Sequence, residues 1–213
     1  MVARGDYAGT LHSLLRRWPA VTLLGPRQCG KTTFVQEALP GWTYLDLERP
    51  SDAGPLTADP EARLLYNDYG AEGAGAKSDG VYNLMAELRQ KGVPVHGVGL
   101  QMHVSLDEVP NVDDVRINMK RLAALNLETH ITEMDVMLHM PMTQHDLEAQ
   151  AKVYRDMLRT CLTVLACRSF STWGVADRYS WIPEFFPGYG AALLFDADLR
   201  PKPAAAAVRR LLR

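Results

Sequence analysis

Short apolar runs alternate with helical patterns along the whole chain. This alternation is typical of parallel β-strands joined by crossover helices, because a parallel neighbour requires a long connection back to the same end of the sheet. The sequence therefore predicts an α/β fold. The predicted strands lie near residues 20–25, 43–47, 63–67, 95–102, 127–132 and 168–173, and the predicted helices near 30–39, 78–91, 112–125, 145–161 and 203–212.

The composition limits the class of protein and of partner. With 213 residues, 47% of them hydrophobic, the chain is long enough to bury a core. A net charge of -2 gives no basic field for nucleic acid or an anionic membrane. No window approaches the roughly 18–20 apolar residues of a spanning helix, and the start of the chain lacks a signal-peptide pattern. We therefore expect neither nucleic acid nor membrane partners, and a cytoplasmic location for the chain as written.

A phosphate-binding motif occupies residues 25–32 (GPRQCGKT), after an apolar run and before a predicted helix. Gly25 and Gly30 allow main-chain N–H groups to surround phosphate oxygens, Lys31 would reach the outer phosphates, and Thr32 would bind magnesium. With their flanks, residues 1–58 resemble the start of prokaryotic AAA-type ATPases. The resemblance implies a P-loop βαβ fragment that binds ATP and Mg²⁺.

The acidic strand end that nucleotide hydrolysis also needs is not evident in the sequence. Residues 106–110 (LDEVP) are a candidate, but polar residues interrupt the apolar run before them, and we interpret them as a solvated loop. The turn-forming residues 49–55 mark the predicted boundary between two domains, 1–58 and 59–213. Beyond it, Cys161 and Cys167 are spaced either for a disulfide or for two buried thiols, and no cysteine spacing indicates a metal site.

Six motifs after residue 59 share the resemblance to a second family. They are 65–69 (LYNDY), 77–82 (KSDGVY), 97–103 (GVGLQMH), 131–136 (ITEMDV), 172–181 (TWGVADRYSW), and the pair 194–196 (LFD) and 201–204 (PKPA). They resemble glycoside hydrolase family 10, the endo-1,4-β-xylanases. The resemblance implies a partial (β/α)8 TIM barrel, equivalent to strands 5–8, that acts on xylan or xylo-oligosaccharides without a cofactor. Proteins of that family are usually secreted.

The acidic pair after the run 127–132 is the candidate catalytic site. Glu133 and Asp135 stand two apart, so their side chains point the same way on an extended chain. His103 follows the neighbouring strand and lies within reach of both. By resemblance, Glu133 is the nucleophile that attacks the anomeric carbon, and His103 and Asp135 hold it ionised and oriented.

Aromatic and amide residues complete the predicted sugar site, because sugar rings combine apolar faces with rims of hydroxyl groups. Trp173 and Trp181 are predicted as aromatic platforms. The resemblance gives Asn67, Tyr69 and Gln101 polar roles in substrate binding. Arg178 is left open between a loop salt bridge and a substrate contact.

One half of the reaction machinery is missing from the sequence. Retaining hydrolysis uses a nucleophile and a general acid, and in the family the acid is a glutamate after an asparagine at the end of the fourth strand. No Asn-Glu dipeptide occurs in the chain. We interpret the chain as the front of an ATPase joined to the back of a xylanase. The open barrel edges then pair with the N-terminal piece, with a second copy, or with nothing, and we expect self-association or poor solubility. Three functions remain open: an impaired hydrolase, an ATP-binding module, or an inactive fusion product.

Overall fold

The computed structural model describes residues 5–17, 31–42 and 63–213, and it divides into two compact units, Met1–Pro60 and Glu61–Arg213. In the first unit, helix α1 spans Gly5–Arg17 and helix α2 spans Lys31–Ala38. The sequence predicted α2 but no helix at α1. The predicted strands 20–25 and 43–47 lie outside the described residues.

The second unit alternates strands and helices, as the apolar pattern predicts. Its elements in chain order are β1 (Leu65–Asp68), α3 (Ala76–Gln90), β2 (Gly97–Leu100), β3 (His103–Ser105), α4 (Val112–Ala124), β4 (Glu128–His139), α5 (Gln144–Thr163), β5 (Cys167–Thr172), a 3₁₀ turn (Asp177–Tyr179), α6 (Ile182–Phe185), β6 (Tyr189–Gly190) and α7 (Pro203–Leu211).

Four strands form the parallel core of the sheet in the spatial order β1-β2-β4-β5. Helices α3, α4 and α5 connect them, so each crossover contains a helix. The short β3 pairs in parallel with the second half of β4, and β6 pairs antiparallel with its end. This α/β arrangement with a parallel sheet is consistent with part of a (β/α)8 barrel.

The core lies between the sheet and its helices. Val98, Leu100 and Ile131 are fully buried there with Met119 and Met157 from the helices. The central strand β2 is short, apolar and wholly buried, as expected where helices cover a parallel sheet.

Local signals in the sequence begin the two long helices beside this core. Asn111 accepts main-chain hydrogen bonds at the start of α4, and Thr143 forms a reciprocal capping box with Asp146 at the start of α5. These caps set where the helices begin and therefore how α4 and α5 lie against β4.

A disulfide joins Cys161 to Cys167 between the end of α5 and the start of β5. The sequence left this pair open between a disulfide and free thiols. Among the helices in the described part of the chain, none is long and apolar enough to cross a membrane.

Candidate active site

Strand β4 carries the acidic pair and runs further than predicted. The predicted strand ended at residue 132, but β4 continues to His139, because β3 and β6 pair with the extension. His139 is therefore the last residue of β4; its side chain is exposed, and its Nε2 atom lies 3.2 Å from Asp107 Oδ2.

His103 lies between the two carboxylates. Its Nε2 atom is 3.4 Å from Glu133 Oε2, and its Nδ1 atom is 3.0 Å from Asp135 Oδ2. The β3–β4 register places His103 directly opposite Asp135. Asp135 is 1% exposed, whereas Glu133 keeps an accessible edge. The structure thus brings together the three residues predicted for catalysis.

Electrostatics favours the charged form of His103. Burial lowers the pKa of the imidazole, but the carboxylate of Asp135, followed by that of Glu133, more than reverses this effect, and the pKa is raised above 6.5. A protonated His103 places a positive charge against Glu133. This charge lies beside the carboxylate that is predicted to attack the sugar.

We expect the stabilising effect of His103 to depend on pH. Because its folded-state pKa is raised, its contribution is full below 6.5 and is lost as the pH rises through the folded-state pKa. The variant His103→Gln should be less stable than the wild type at acidic pH, by about 1.5–3 kcal/mol for a hydrogen bond to a charged group. Denaturant unfolding of both proteins across this pH range measures the difference, and a gap that widens with rising pH would contradict the assignment.

Asn67, at the end of β1, holds the other oxygen of Glu133. Its Nδ2 atom donates to Glu133 Oε1 at 2.7 Å, and the hydroxyl of Thr132 donates to Asn67 Oδ1 at 2.7 Å. A Cβ atom on Gly99 would lie 2.3 Å from Asn67 Oδ1, so the strand between them must carry a glycine there. Sequence reasoning found Asn67 but missed Thr132 and Gly99, whose contacts cross three strands.

The two predicted platform tryptophans border the site. The indole N–H of Trp181 donates to Asp135 Oδ2 at 2.8 Å, and its ring centroid is 5.1 Å from that of His103. Trp173 lies 6.2 Å from the His103 ring and is 47% exposed. Trp181 therefore also fixes the buried acid, and Trp173 offers a free aromatic face.

Tyr69 and Gln101 are placed differently. Tyr69 is exposed, with the ammonium of Lys77 4.0 Å above its ring, and Lys77 also pairs with Asp68 at 3.0 Å. The main-chain carbonyl of Gln101 accepts from the Glu133 N–H at 3.1 Å. Both residues border the end of β1 or β2 next to the acidic pair. Their roles toward substrate stay predictions.

Glu72 is a buried acid that sequence reasoning missed. Its carboxylate accepts a hydrogen bond from the main-chain N–H of Met102 at 3.0 Å. Met102 has a φ of 66°, and it links β2 to the strand that carries His103. Glu72 therefore supports the turn that positions the histidine. No local motif marks this role, because the contact spans 30 residues.

A buried ion pair fixes the loop that carries Trp181. The ammonium of Lys202 lies 3.0 Å from Asp177 and donates to the carbonyl of Ala191 at 2.6 Å. Burial raises the pKa of Asp177, an effect that Lys202 opposes, and burial lowers the pKa of Lys202. Nearby, Arg178 is exposed and lies 3.5 Å from Asp198, as a loop salt bridge.

The phosphate-loop residues fall largely outside the structure's scope. Gly25 and Gly30 lie outside the described residues. Lys31 and Thr32 are the first residues of α2, but the structure describes only their main chain. Within the described ranges, no group of His, Cys, Asp and Glu side chains is arranged to hold a metal ion. In the segment 106–110, Asp107 and Glu108 are exposed and the other three residues are half-buried, and Asp107 accepts a hydrogen bond from Tyr189 at 3.3 Å.

A parallel sheet with a carboxylate and its histidine and asparagine partners at the strand ends defines an α/β-barrel hydrolase site. The sequence profile of Glycosyl hydrolase family 10 matches residues 56–211. The chain belongs to this family. The match begins after the phosphate-loop motif, which therefore lies outside it.

Individual relatives agree with the family assignment. Endo-1,4-beta-xylanase B of Thermotoga neapolitana is 45% identical over 158 residues, which cover 73% of this chain and 45% of the relative. Endo-1,4-beta-xylanase of Agaricus bisporus is 42% identical over 147 residues, 69% of this chain and 44% of the relative. The chain thus spans about half the length of the curated relatives it matches.

Solved structures show the same partial overlap. Xylanase 10B from Thermotoga petrophila RKU-1 in complex with xylobiose has a TM-score of 0.70 and 45% identity, covering 73% of this chain and 47% of that one. Native xylanase 10B from Thermotoga maritima has a TM-score of 0.71 and 40% identity, covering 85% and 52%.

Proposed function

We propose that the chain carries the nucleophile half of a retaining endo-1,4-β-xylanase. The proposal rests on the contacts that orient the Glu133 carboxylate: Asn67 donates a hydrogen bond to one oxygen, and His103 lies beside the other. An oriented, ionised carboxylate beside an exposed tryptophan is the arrangement that attack on an anomeric carbon needs. The xylobiose bound by the Thermotoga petrophila relative supports xylo-oligosaccharides as the ligand class.

The proposed enzyme is impaired with natural xylan. Retaining hydrolysis places a second carboxyl group about 5–5.5 Å from the nucleophile to protonate the leaving oxygen. Asp135 does not meet this requirement, because it is buried and held by Trp181 and His103. Cleavage of an alkoxide leaving group without protonation is slow, and we therefore expect little turnover of xylan.

A substrate that needs no acid tests the nucleophile. In a 2,4-dinitrophenyl 2-deoxy-2-fluoro-β-xylobioside, the Glu133 carboxylate displaces dinitrophenolate at the anomeric carbon, and the fluorine slows breakdown of the ester formed. Intact-protein mass spectrometry should show one added 2-deoxy-2-fluoroxylobiosyl group, located on Glu133 by peptide mapping. The isosteric variant Glu133→Gln should remain unlabelled. If circular dichroism shows that the wild type is folded and it still remains unlabelled, the site is inactive and the proposal is wrong.

A nucleotide-binding function is the second candidate. It is supported by the complete motif at residues 25–32 and by the helix that begins at Lys31, where a phosphate loop requires a helix N-terminus. Titration of wild type and Lys31→Ala with ATP and Mg²⁺ tests it. Equally negligible binding in both proteins removes this function.

A further inference from the structure

In the described part of the chain, the four-stranded parallel core ends in two open edges. Within the described residues, β1 pairs only with β2, and β5 pairs only with β4. Edge strands expose main-chain N–H and C=O groups that pair readily with another strand. Leu65 on β1 and Ser169 and Ser171 on β5 are exposed, whereas every residue of the central β2 is buried.

The edge at β5 borders an apolar groove of about 590 Å³. Phe170 of β5 lines it together with Leu158 of α5 and Val208 of α7. Leu165, at its rim, is 94% exposed. An apolar groove beside an open strand is a surface that another apolar strand covers favourably.

The edge at β1 has the matching chemistry. Leu65 is partly exposed, and Tyr66 is packed only in part against the core. The neighbouring Leu64 is also only partly buried. A strand of this composition suits the groove beside β5, and the same chain carries both surfaces.

We propose that two copies of this chain close one eight-stranded barrel about a twofold axis. In this dimer, β5 of each copy pairs in parallel with β1 of the other, so the strand order is β1-β2-β4-β5 twice around the ring. Four strands from each copy make the eight that a (β/α)8 barrel contains. A twofold axis satisfies both edges of both copies at once.

Pairing between like edges is a weaker solution. Two β1 strands, or two β5 strands, related by a twofold axis run antiparallel and leave the other edge of each copy open. The inner face also suits closure, because Arg63 already pairs with Glu128 at 2.6 Å within each copy. Closing the barrel therefore brings that carboxylate inside with its counter-ion.

The stagger of a barrel predicts the residues that face each other. A shear of 8 over eight strands advances about four residues per half. Within one copy, the site residues show this stagger: relative to the hydrogen-bonded register that starts at Asn67 on β1, Glu133 on β4 and Trp173 on β5 lie further toward the carboxyl ends of the strands. Continuing the stagger brings Leu65 of one copy opposite Ser171 of the other, and brings Trp173 of one copy beside Asn67 of the other.

Cysteine cross-linking in the full chain tests this arrangement. All variants carry Cys29→Ser, and Leu65→Cys and Ser171→Cys are made separately. After mixing and mild oxidation, most of the sample should become a disulfide-linked pair of one copy of each variant. Each chain carries only one of the two introduced cysteines, so a disulfide between position 65 and position 171 joins two chains. A cross-link therefore reports contact between copies.

Controls separate the alternatives. Leu65→Cys alone and Ser171→Cys alone should not cross-link, nor should Leu65→Cys mixed with Ile117→Cys, an exposed position on α4. Light scattering of the unmodified chain should give twice 23.7 kDa. A monomer, or cross-linking of Leu65→Cys with itself, overturns the proposal. Neither result depends on labelling of Glu133, so this test stands apart from that of the proposed function.

Discussion

Azide is expected to accelerate turnover of a 2,4-dinitrophenyl β-xylobioside by this chain. The first step needs no acid, because dinitrophenolate leaves unprotonated, but breakdown of the glycosyl ester needs a base to activate water. The buried Asp135 is held by Trp181 and is not free for that role. Azide attacks without a base, so we expect an acceleration of about 10²–10⁴-fold, the usual contribution of general base catalysis.

The measurement is dinitrophenolate release with and without azide, together with identification of β-xylobiosyl azide. Without azide, an initial burst close to one equivalent per chain should precede the slow phase. Glu133→Gln is the matched control and should show neither burst nor azide effect. Steady turnover that azide leaves unchanged would mean that a working base is present, which contradicts the proposed impairment.

Replacement of Lys202 by methionine is expected to cost about 3–5 kcal/mol of stability, the usual cost of removing one partner of a buried pair. Lys202 is 7% exposed, and its loss leaves the Asp177 carboxylate buried without its cation. Because burial raises the pKa of Asp177, the acid can protonate at low pH. The destabilisation should therefore be smaller in acid than at neutral pH, where Asp177 is ionised.

Denaturant unfolding of the wild type and variant at the two pH values measures this effect. Arg178→Ala provides the matched control, since it removes an exposed pair with Asp198 in the same region and should change stability by less than about 1 kcal/mol. Equal effects of the two substitutions would show that the Lys202 pair does not hold the loop.

Local patterns predicted the parallel strands and their helices well. The predicted helix 145–161 is observed at Gln144–Thr163, and the predicted strand 168–173 at Cys167–Thr172. The helix has a strong local signal, the capping box at its start. The extension of β4 beyond residue 132 was missed, because residues 134–139 form a strand through pairing with β3 and β6, which lie far away in sequence.

In the candidate site, too, residues in local motifs were predicted, and contacts between distant residues were not. Glu133, His103 and Asp135 were found because they lie in short motifs that resemble family 10, and the structure places them in contact. The bond from Trp181 to Asp135 spans 46 residues, and Asn67 reaches Glu133 across 66. Such contacts depend on strand order and stagger, which no short pattern encodes. The helix α1 was not predicted, because the sequence before it shows no clear helix-start signal.

The supports of Glu133 all come from one continuous stretch of chain. Asn67, His103 and Thr132 belong to β1, β3 and β4, and each lies after residue 60. The resemblance to family 10 predicts that the acid completing the reaction comes before this stretch of chain. The attacking and protonating functions are thus separable along the gene. A recombination event that replaces the N-terminal half of such a barrel keeps the nucleophile and its supporting residues together. Only a proton donor must then be regained.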